Sequence, residues 1–410
     1  MANDLGAPVL PGSKSHGQRA LLLAATTPGR WTLRNVPASD DLLVLRRALH
    51  ACGAAIRGAG ELWEVDGAAV APGRTFRVDA GENGTAARLL LMVLPLLGCA
   101  LELDGEPGLR RRPMRAAVDA LRAAGVVCAA DTLPIRADGR GVPPGPGLAL
   151  AVDAAITTQA ASGALLAMCL RGGGTVHADA AAAGGYLELT AQVLGQFGAR
   201  VATSTAGRRQ TFAVGPATAG GGVVTLPPDP SARAFPLALA ALHGLPVPAG
   251  LAAAASDAHP DWHVDDDFAR LRAASGDLCL GDLARRPDCV PALAVVAATR
   301  PFATTMPGLS ALRQKESDRL AALASALRAV AADATVVGDT LTVRGPLRAD
   351  AALRVPATDD HRIVMALALL GTVLPRGVEL DHADAVRKSW PGYFDWLARC
   401  AHVAFPSGSR

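Results

Sequence analysis

The stretch LPGSKSHGQRALLLAA, residues 10–25, places a turn and a polar cluster directly before a wholly apolar helix. Ser13 or Ser15 can cap that helix, and Lys14 and Arg19 bring two cations to its start. A helix N-terminus carries unpaired N–H groups and a partial positive charge, so it attracts anions and disfavours cations. The pattern predicts a phosphate or carboxylate site. The open alternative is a capped surface helix with solvated basic side chains.

The same order of a polar cluster followed by an apolar helix occurs six times along the chain at fairly regular intervals, which is typical of a chain built from repeated units. The six clusters are SKSHGQR at 13–19, GTAAR at 84–88, TTQ at 157–159, DPS at 229–231, PD at 287–288 and DHR at 360–362.

A second helix with apolar residues at i, i+3, i+4 and i+7 follows each of the six. We expect these helices to begin near Asp40, Arg112, Tyr186, Asp265, Lys315 and Lys388. Segments of alternating Val, Leu and Thr predict strands between them. Such segments are TFRVDA at 75–80, LALAVDA at 148–154, TFAVG at 211–215 and ATVVGDTLTVRG at 334–345. The sequence therefore predicts two halves of three α/β repeats each.

Composition limits the classes of function. The 410 residues are 50% hydrophobic and 19% charged with a net charge of +3, which indicates a globular chain and argues against a broad nucleic-acid or membrane surface. The seven cysteines include no CxxC pair and no zinc-binding spacing, so we expect reduced thiols and no metal. No signal-peptide pattern and no apolar run of about 18 residues is present, which predicts a cytoplasmic protein.

Two later segments carry further charged clusters. In ALRQKESDRLAAL, residues 311–323, Lys315 and Arg319 have the i, i+4 spacing of one helix face, and Glu316 lies beside Lys315. In TDDHRIVMALALL, residues 358–370, His361 and Arg362 open an apolar helix. A lone KESDR is typical of a salt-bridged solvent face. The recurrence of charged clusters at equivalent places in the repeats favours a ligand site instead.

These segments together identify a resemblance. The pieces PGSKSHGQRALLLAA, GENGTAARLL, LDGEPGLRRRPMRAAVDAL, TTQAASGALL, PDCVPALAVVAA, LRQKESDRLAAL, TDDHRIVMALALL and VRKSWPGYF resemble, in family order and over nearly the whole chain, the enolpyruvyl transferases, and within them the 5-enolpyruvylshikimate-3-phosphate synthases. The resemblance implies two domains, residues 13–228 and residues 1–12 plus 229–410. Each would hold three βαβαββ repeats in an inside-out α/β barrel, with helix N-termini facing a central cleft.

The resemblance also implies roles for individual residues. Those matching the residues that bind phosphoenolpyruvate are Lys14, Gly84, Arg88, Arg112, Arg319, Arg362 and Lys388. Those matching the residues that bind the phosphorylated acceptor are Ser15, Arg19, Thr157, Thr158, Gln159, Tyr186 and Lys315. The matching catalytic residues are Asp288, which takes the proton of the attacking hydroxyl, and Glu316 with Lys14, which move protons at the methylene carbon. Arginine suits such a substrate because its planar fork binds phosphate and carboxylate in two places.

The implied reaction transfers the enolpyruvyl group of phosphoenolpyruvate to the 5-hydroxyl of shikimate 3-phosphate by addition and elimination. It implies no metal or organic cofactor, no nucleic-acid or membrane partner and a monomer. The related enzymes that use UDP-N-acetylglucosamine match less well, since they have Asn where this chain has Ser15 and a Cys in the loop that reads DGEPGLRRRP here.

Several positions depart from the synthase pattern, chiefly on the acceptor side. Gly17 and Ala183 replace serines, Ala311 replaces a common Asn, and Glu82 stands where Asn is common. Two alternatives therefore stay open: a paralogue of secondary metabolism that uses another phosphorylated alcohol such as UMP, and a non-catalytic anion-binding relative.

Overall fold

The computed structural model describes residues 8–155, 157–179, 185–248, 251, 264–315, 317–330, 332–347, 353–355 and 360–404. The chain divides into two compact units, Gly12–Pro227 (the N-terminal unit) and Met1–Pro11 with Pro228–Arg410 (the C-terminal unit). The chain leaves one unit for the other one residue before each of the two boundaries expected from the sequence. The Ser13 N–H donates to the Pro227 carbonyl at 2.7 Å, and the Asp229 N–H donates to the Pro11 carbonyl at 2.7 Å.

The described residues form thirteen α-helices. Those of the N-terminal unit are α1 Lys14–Thr26, α2 Asp40–Ala51, α3 Gly84–Leu96, α4 Pro107–Arg110, α5 Arg115–Ala123, α6 Gln159–Leu170 and α7 Tyr186–Gln196. Those of the C-terminal unit are α8 Pro230–Leu242, α9 Val264–Ala273, α10 Val290–Ala297, α11 Arg319–Ala329, α12 His361–Gly371 and α13 Tyr393–Ala404. All twelve helices expected from the sequence are present, and the short α4 is additional.

Three sheets of the N-terminal unit repeat one pattern, in which two parallel strands are followed by an antiparallel pair. The strands are β1 Gly29–Arg34, β2 Ala55–Ala59, β3 Leu62–Gly67, β4 Thr75–Asp79, β5 Ala100–Asp104, β6 Val127–Cys128, β7 Ile135–Asp138, β8 Leu148–Asp153, β9 Gly174–Asp179, β10 Val201–Ala206, β11 Arg209–Val214 and β12 Gly220–Thr225. The sheet orders are β4-β5-β7-β6, β8-β9-β11-β10 and β12-β1-β3-β2. The last strand, β12, therefore returns to complete the first sheet by pairing in parallel with β1.

The described part of the C-terminal unit has fewer strands. They are β13 Leu278–Cys279, β14 Ala303–Met306, β15 Asp333–Val337, β16 Thr340–Arg344, β17 Leu353–Val355 and β18 Val378–Leu380. The order β13-β14-β16-β15 repeats the pattern of the other unit, whereas β17 and β18 form only a parallel pair. The predicted strands at 75–80, 148–154, 211–215 and 334–345 are confirmed as β4, β8, β11 and the β15–β16 hairpin.

The first helix of each repeat lies at the centre of its unit. In α3 every residue except Thr85 is buried, and in α10 all eight residues are buried. These helices carry no polar face, and a helix that is apolar on all sides must be surrounded by protein. The N-terminal unit packs around α1, α3 and α6, and the C-terminal unit around α8, α10 and α12. Each unit has its own hydrophobic core.

Two expected helix starts are wrong. Lys315 and Arg319 do not share a helix face, because Ser310–Gln314 forms a 3₁₀ helix, Lys315 follows it in an extended conformation, and α11 begins at Arg319. The Asp318 side chain accepts the Ala321 N–H at 3.0 Å and so caps α11. Similarly, Lys388 ends a 3₁₀ helix and α13 begins at Tyr393. Within the described residues, no helix has both the length and the apolar character needed to cross a membrane.

Candidate active site

Lys14 is the first residue of α1, where the Ser13 hydroxyl caps the helix by accepting the His16 N–H at 3.3 Å. The Lys14 ammonium lies 2.9 Å from the Asp41 carboxylate of α2. Both side chains are largely buried, so the carboxylate offsets the positive charge that Lys14 brings to the helix start. Asp41 thus orients Lys14, a contact that the sequence did not reveal although Asp41 stands at the start of a predicted helix.

Arg19 is 1% exposed, and its guanidinium joins three helices. Nε donates to the Thr190 hydroxyl at 2.8 Å, Nη2 to the Ser162 hydroxyl at 2.9 Å and Nη1 to the Ser15 carbonyl at 2.7 Å. All three acceptors are neutral oxygens. Burial lowers the pKa of Arg19 to about 10, so the side chain remains a cation at neutral pH. Such a buried guanidinium is suited to bind an anion.

Arg88 and Gln159 connect the two sets of residues that the resemblance assigned to different substrates. Arg88 Nη1 donates to Gln159 Oε1 at 2.6 Å, and Gln159 Nε2 donates to the Thr85 hydroxyl at 2.9 Å. Arg88 Nη2 donates to the Pro113 carbonyl at 2.8 Å. Burial, and then the charge of Arg112, lower the pKa of Arg88 to about 10.

Gly84 starts α3 beside two guanidiniums. A Cβ at this position would lie 2.9 Å from Arg88 Nη1 and 3.1 Å from Arg112 Nη1. The absence of a side chain therefore lets both arginines approach the helix N-terminus, which is where an anion would be bound. Glu82 Oε2 lies 3.5 Å from Arg112 Nη2 in the same place. The Glu82 carboxylate, which stands where Asn is common in the family, therefore lies beside one of these cations.

In the N-terminal unit, the other residues matched to acceptor binding lie at the starts of α1, α6 and α7. Ser15 is half-buried in the first turn of α1, and Thr157 accepts the Gln159 N–H at 3.4 Å. Thr158 is buried, and Tyr186 is the first residue of α7. Gly185 precedes Tyr186 with φ of +94°, a conformation that glycine adopts without strain. Ala183 lies outside the described residues.

In the C-terminal unit, three cations surround Asp288, which lies just before α10. Its Oδ1 is 2.8 Å from Arg319 Nη1, 3.3 Å from Lys315 Nζ and 3.5 Å from Arg362 Nε. The Asp288 side chain is 16% exposed, so the carboxylate can still be reached by a reactant. These contacts hold the carboxylate in one position beside cations that could bind a phosphate.

Two buried carboxylates support those cations. Arg319 is fully buried and its Nε donates to Asp360 Oδ2 at 2.8 Å. Asp360 also caps α12 by accepting the Arg362 N–H at 3.1 Å. Arg362 Nη2 donates to the Ser231 hydroxyl at 2.7 Å, and that hydroxyl donates to Asp229 at 2.6 Å. The guanidiniums of Arg319 and Arg362 are thus each held by two different partner residues.

Sequence reasoning missed Asp41, Ser162, Thr190, Ser231 and Asp360 as supporting residues. Asp360, Asp229 and Ser231 stand in the polar clusters before the apolar helices, so their positions were visible but their partners were not. Lys388 is half-buried at the end of its 3₁₀ helix, and Glu316 lies outside the described residues. Where the structure describes the chain, no three His, Cys, Asp or Glu side chains are grouped closely enough to hold a metal ion.

Comparisons with known proteins show the family of this chain. The family model described as EPSP synthase (3-phosphoshikimate 1-carboxyvinyltransferase) matches residues 6–397. The 3-phosphoshikimate 1-carboxyvinyltransferase of Rhodospirillum rubrum is 33% identical over 94% of this chain and 92% of the relative. The enzyme of the same name from Aeropyrum pernix is 32% identical over 95% and 92%.

Solved structures show the same fold. The EPSP synthase of Acinetobacter baumannii superposes with a TM-score of 0.73 at 22% identity, covering 96% of this chain and 95% of that one. The enolpyruvyl transferase NikO from Streptomyces tendae superposes with a TM-score of 0.67 at 18% identity, covering 96% and 94%. The two-domain α/β fold expected from the sequence is therefore confirmed.

Proposed function

The chain belongs to the EPSP synthase family, and from this premise we propose that it transfers the enolpyruvyl group of phosphoenolpyruvate to the 5-hydroxyl of shikimate 3-phosphate, with release of phosphate. The observation that carries the proposal is the Asp288 carboxylate held within 3.5 Å of three cations, since the reaction needs a base beside a site for phosphate. We also propose that the N-terminal and C-terminal units are the two domains of the enzyme.

The reaction is an addition followed by an elimination. The acceptor oxygen attacks C2 of phosphoenolpyruvate while C3 gains a proton, and the acceptor hydroxyl proton passes to a base. The tetrahedral adduct then loses a proton from C3 and inorganic phosphate from C2, which leaves an enolpyruvyl ether. Negative charge on the departing phosphate increases during the second step, so fixed cations stabilise it.

In the N-terminal unit, we assign phosphoenolpyruvate binding to Arg88 and Arg112, which Gly84 admits to the start of α3. Lys14 would move protons at the methylene carbon, and Asp41 would hold it in place. Arg19, with Ser15, Thr157, Thr158, Gln159 and Tyr186, would bind the phosphorylated acceptor. The hydrogen bond between Arg88 and Gln159 supports a common site for both substrates within this unit.

In the C-terminal unit, Asp288 is assigned as the base that takes the acceptor hydroxyl proton. Arg319, Arg362 and Lys388 would bind phosphoenolpyruvate, and Lys315 would bind the acceptor. Glu316 would share the proton transfers at C3 with Lys14. The pairing of Arg319 with both Asp288 and Asp360 supports this assignment, because a guanidinium fixed by two carboxylates needs no rearrangement during the reaction.

A panel of acceptors tests the proposal. The purified protein is mixed with phosphoenolpyruvate and either shikimate 3-phosphate, shikimate or UMP, and released phosphate is measured. We expect release with shikimate 3-phosphate and formation of the enolpyruvyl ether, seen by mass spectrometry. Release with UMP alone would favour the paralogue of secondary metabolism. Binding of phosphoenolpyruvate with no phosphate release from any acceptor would favour a non-catalytic relative.

Two variants test the catalytic assignment. Lys14→Met and Asp288→Asn should each lower kcat by about 100-fold or more, the usual contribution of a positioned acid or base. Asp266→Asn changes an exposed acid of α9 and is the matched control. Thermal unfolding of each variant separates lost chemistry from lost folding. A kcat within a few-fold of the unsubstituted protein in a folded variant would contradict the role assigned to that residue.

A further inference from the structure

Glu82 extends toward Arg112 through space that a glycine leaves open. Its Oε2 lies 3.5 Å from Arg112 Nη2, and the Arg112 side chain is 10% exposed whereas that of Glu82 is 42% exposed. A Cβ on Gly108 would lie 2.4 Å from Glu82 Oε1 and 2.6 Å from Oε2. Any side chain at position 108 would therefore displace the carboxylate. The glycine and the glutamate act as a pair, although they are far apart in sequence.

The Glu82 carboxylate lies beside Arg112, one of two positively charged guanidiniums that repel each other. The guanidiniums of Arg88 and Arg112 meet at Gly84, and the charge of Arg112 contributes to lowering the pKa of Arg88. An opposite charge within a few ångströms offsets such repulsion. Glu82 therefore supplies, from the protein itself, part of the negative charge that a bound anion would supply.

We propose that Glu82 is a specificity-determining residue that competes with anionic ligands for the Arg88–Arg112 pair and lowers the affinity of that pair for them. The proposal rests on the proposed function in taking phosphoenolpyruvate as the ligand of these arginines. Repulsion grows with ligand charge, so the effect is larger for a phosphate dianion than for a monocarboxylate. Gly108 is the positioning residue, because its lack of a side chain leaves the space that the Glu82 carboxylate occupies.

Competition by a carboxylate predicts a dependence of ligand affinity on salt concentration that altered packing would not produce. The repulsion between Glu82 and a bound anion acts across a partly exposed site, so added salt screens it. Replacing Glu82 by Gln keeps the size and hydrogen-bonding reach of the side chain and removes only its charge. The gain in affinity caused by that replacement should therefore shrink as ionic strength increases.

The first experiment measures binding rather than turnover. Calorimetry and thermal shift with phosphoenolpyruvate, inorganic phosphate and acetate are carried out on the unsubstituted protein and on Glu82→Gln. We expect the Kd for phosphoenolpyruvate to fall about 3- to 10-fold in the variant at low salt, with little change for acetate. Glu106→Gln removes the same charge from an exposed position in the neighbouring loop, where the Glu106 N–H donates to Gly81, and should change none of these constants.

A double-mutant cycle then tests the pairing with Gly108. Gly108→Ala should lower the Kd for phosphoenolpyruvate by displacing the carboxylate, and it should have no further effect once Glu82→Ala has removed that carboxylate. Equal Kd values for the unsubstituted protein and Glu82→Gln, or a gain that salt does not reduce, would overturn the inference. Failure of the unsubstituted protein and of every variant to bind phosphoenolpyruvate would instead count against the proposed function.

Discussion

Four arginine side chains of this protein are buried at positions where a protein core usually holds apolar residues. Arg19, Arg88, Arg319 and Arg362 are each at most 5% exposed, and each donates to named protein oxygens. Desolvation of an ion is unfavourable unless partners offset it. Four such arginines within the first two turns of helices are consistent with the anion site that we propose.

At this residue scale, His16 should make stability depend on pH. Burial lowers the pKa of His16 to about 4, with the charge of Arg19 acting in the same direction and the hydrogen bond to Gln196 opposing them. Between its unfolded value of 6.5 and about 4, the unfolded chain binds a proton that the folded chain does not, so stability falls as pH falls. We expect a loss of about 3 kcal/mol by pH 4.

Urea unfolding at several pH values between 4 and 7 measures this loss. His16→Gln keeps a polar side chain that can reach Gln196 and should flatten the dependence over that range. His50→Gln, on an exposed part of α2, is the control for the loss of a histidine. If His16→Gln retains the full slope, other groups cause it.

Gly84→Ala should weaken phosphoenolpyruvate binding without unfolding the protein. The added Cβ would crowd the ends of the Arg88 and Arg112 side chains, which can move away, and would lie at an ordinary contact distance of 3.5 Å from Leu109 Cδ1, but the paired guanidiniums would then be separated. We expect KM for phosphoenolpyruvate to rise about tenfold, a change of about 1.4 kcal/mol in binding. Gly195→Ala, in α7 with open space around its Cβ, is the control, and an unchanged KM in Gly84→Ala would contradict our placement of the site.

At the scale of elements, the helices α1, α6 and α7 are joined through one guanidinium. Arg19 reaches from α1 to Ser162 on α6 and Thr190 on α7, and the Thr190 hydroxyl also donates to the Tyr186 carbonyl at 2.7 Å. The helix starts that carry the residues proposed to bind the acceptor are thereby fixed relative to each other. The hydroxyls are neutral, so they position the cation without neutralising it.

Thr190→Val tests this connection because valine keeps the shape and removes the acceptor. A buried Nε–H without a partner costs about 1–3 kcal/mol, so the free energy of unfolding should fall by about that amount. KM for the acceptor should rise more than KM for phosphoenolpyruvate. Thr26→Val removes a buried hydroxyl of α1 that contacts only carbonyls of its own helix and should leave both KM values unchanged. Equal changes in the two KM values would indicate a general loss of packing instead.

At the scale of the whole molecule, two hydrophobic cores support one chain. The core around α1, α3 and α6 consists of residues of the N-terminal unit, and the core around α8, α10 and α12 consists of residues of the C-terminal unit. Each core is large enough to support its own cooperative unfolding.

Cavity-forming variants should therefore destabilise one unit at a time. Leu165 on α6 and Leu293 on α10 are both fully buried, and replacing either by Ala should cost about 2–5 kcal/mol. Hydrogen exchange measured by mass spectrometry should show faster amide exchange in the unit that carries the substitution and little change in the other. Faster exchange throughout both units from either variant would show that the two cores unfold as one.

Local sequence patterns predicted most of the helices and many residues of the candidate site. Helix periodicity identified six of the twelve expected helices, and apolar stretches after polar clusters identified the other six, because burial of one face or of all faces is written into neighbouring residues. The polar clusters also identified most of the candidate site, because a helix start gathers side chains that are close in sequence. The errors at Lys315 and Lys388 arose where a 3₁₀ helix precedes the α-helix, since Lys315 follows one such helix in an extended conformation and Lys388 ends another.

Only the tertiary structure decided which distant residues meet. The completion of the first sheet by β12, the ion pair between Lys14 and Asp41, and the contact between Glu82 and Arg112 across Gly108 all join residues from separate repeats or elements. Composition and spacing carry no information about such pairs, because their geometry depends on how the helices and sheets pack. The sequence therefore determined the types of residue in the site, and packing determined their partners.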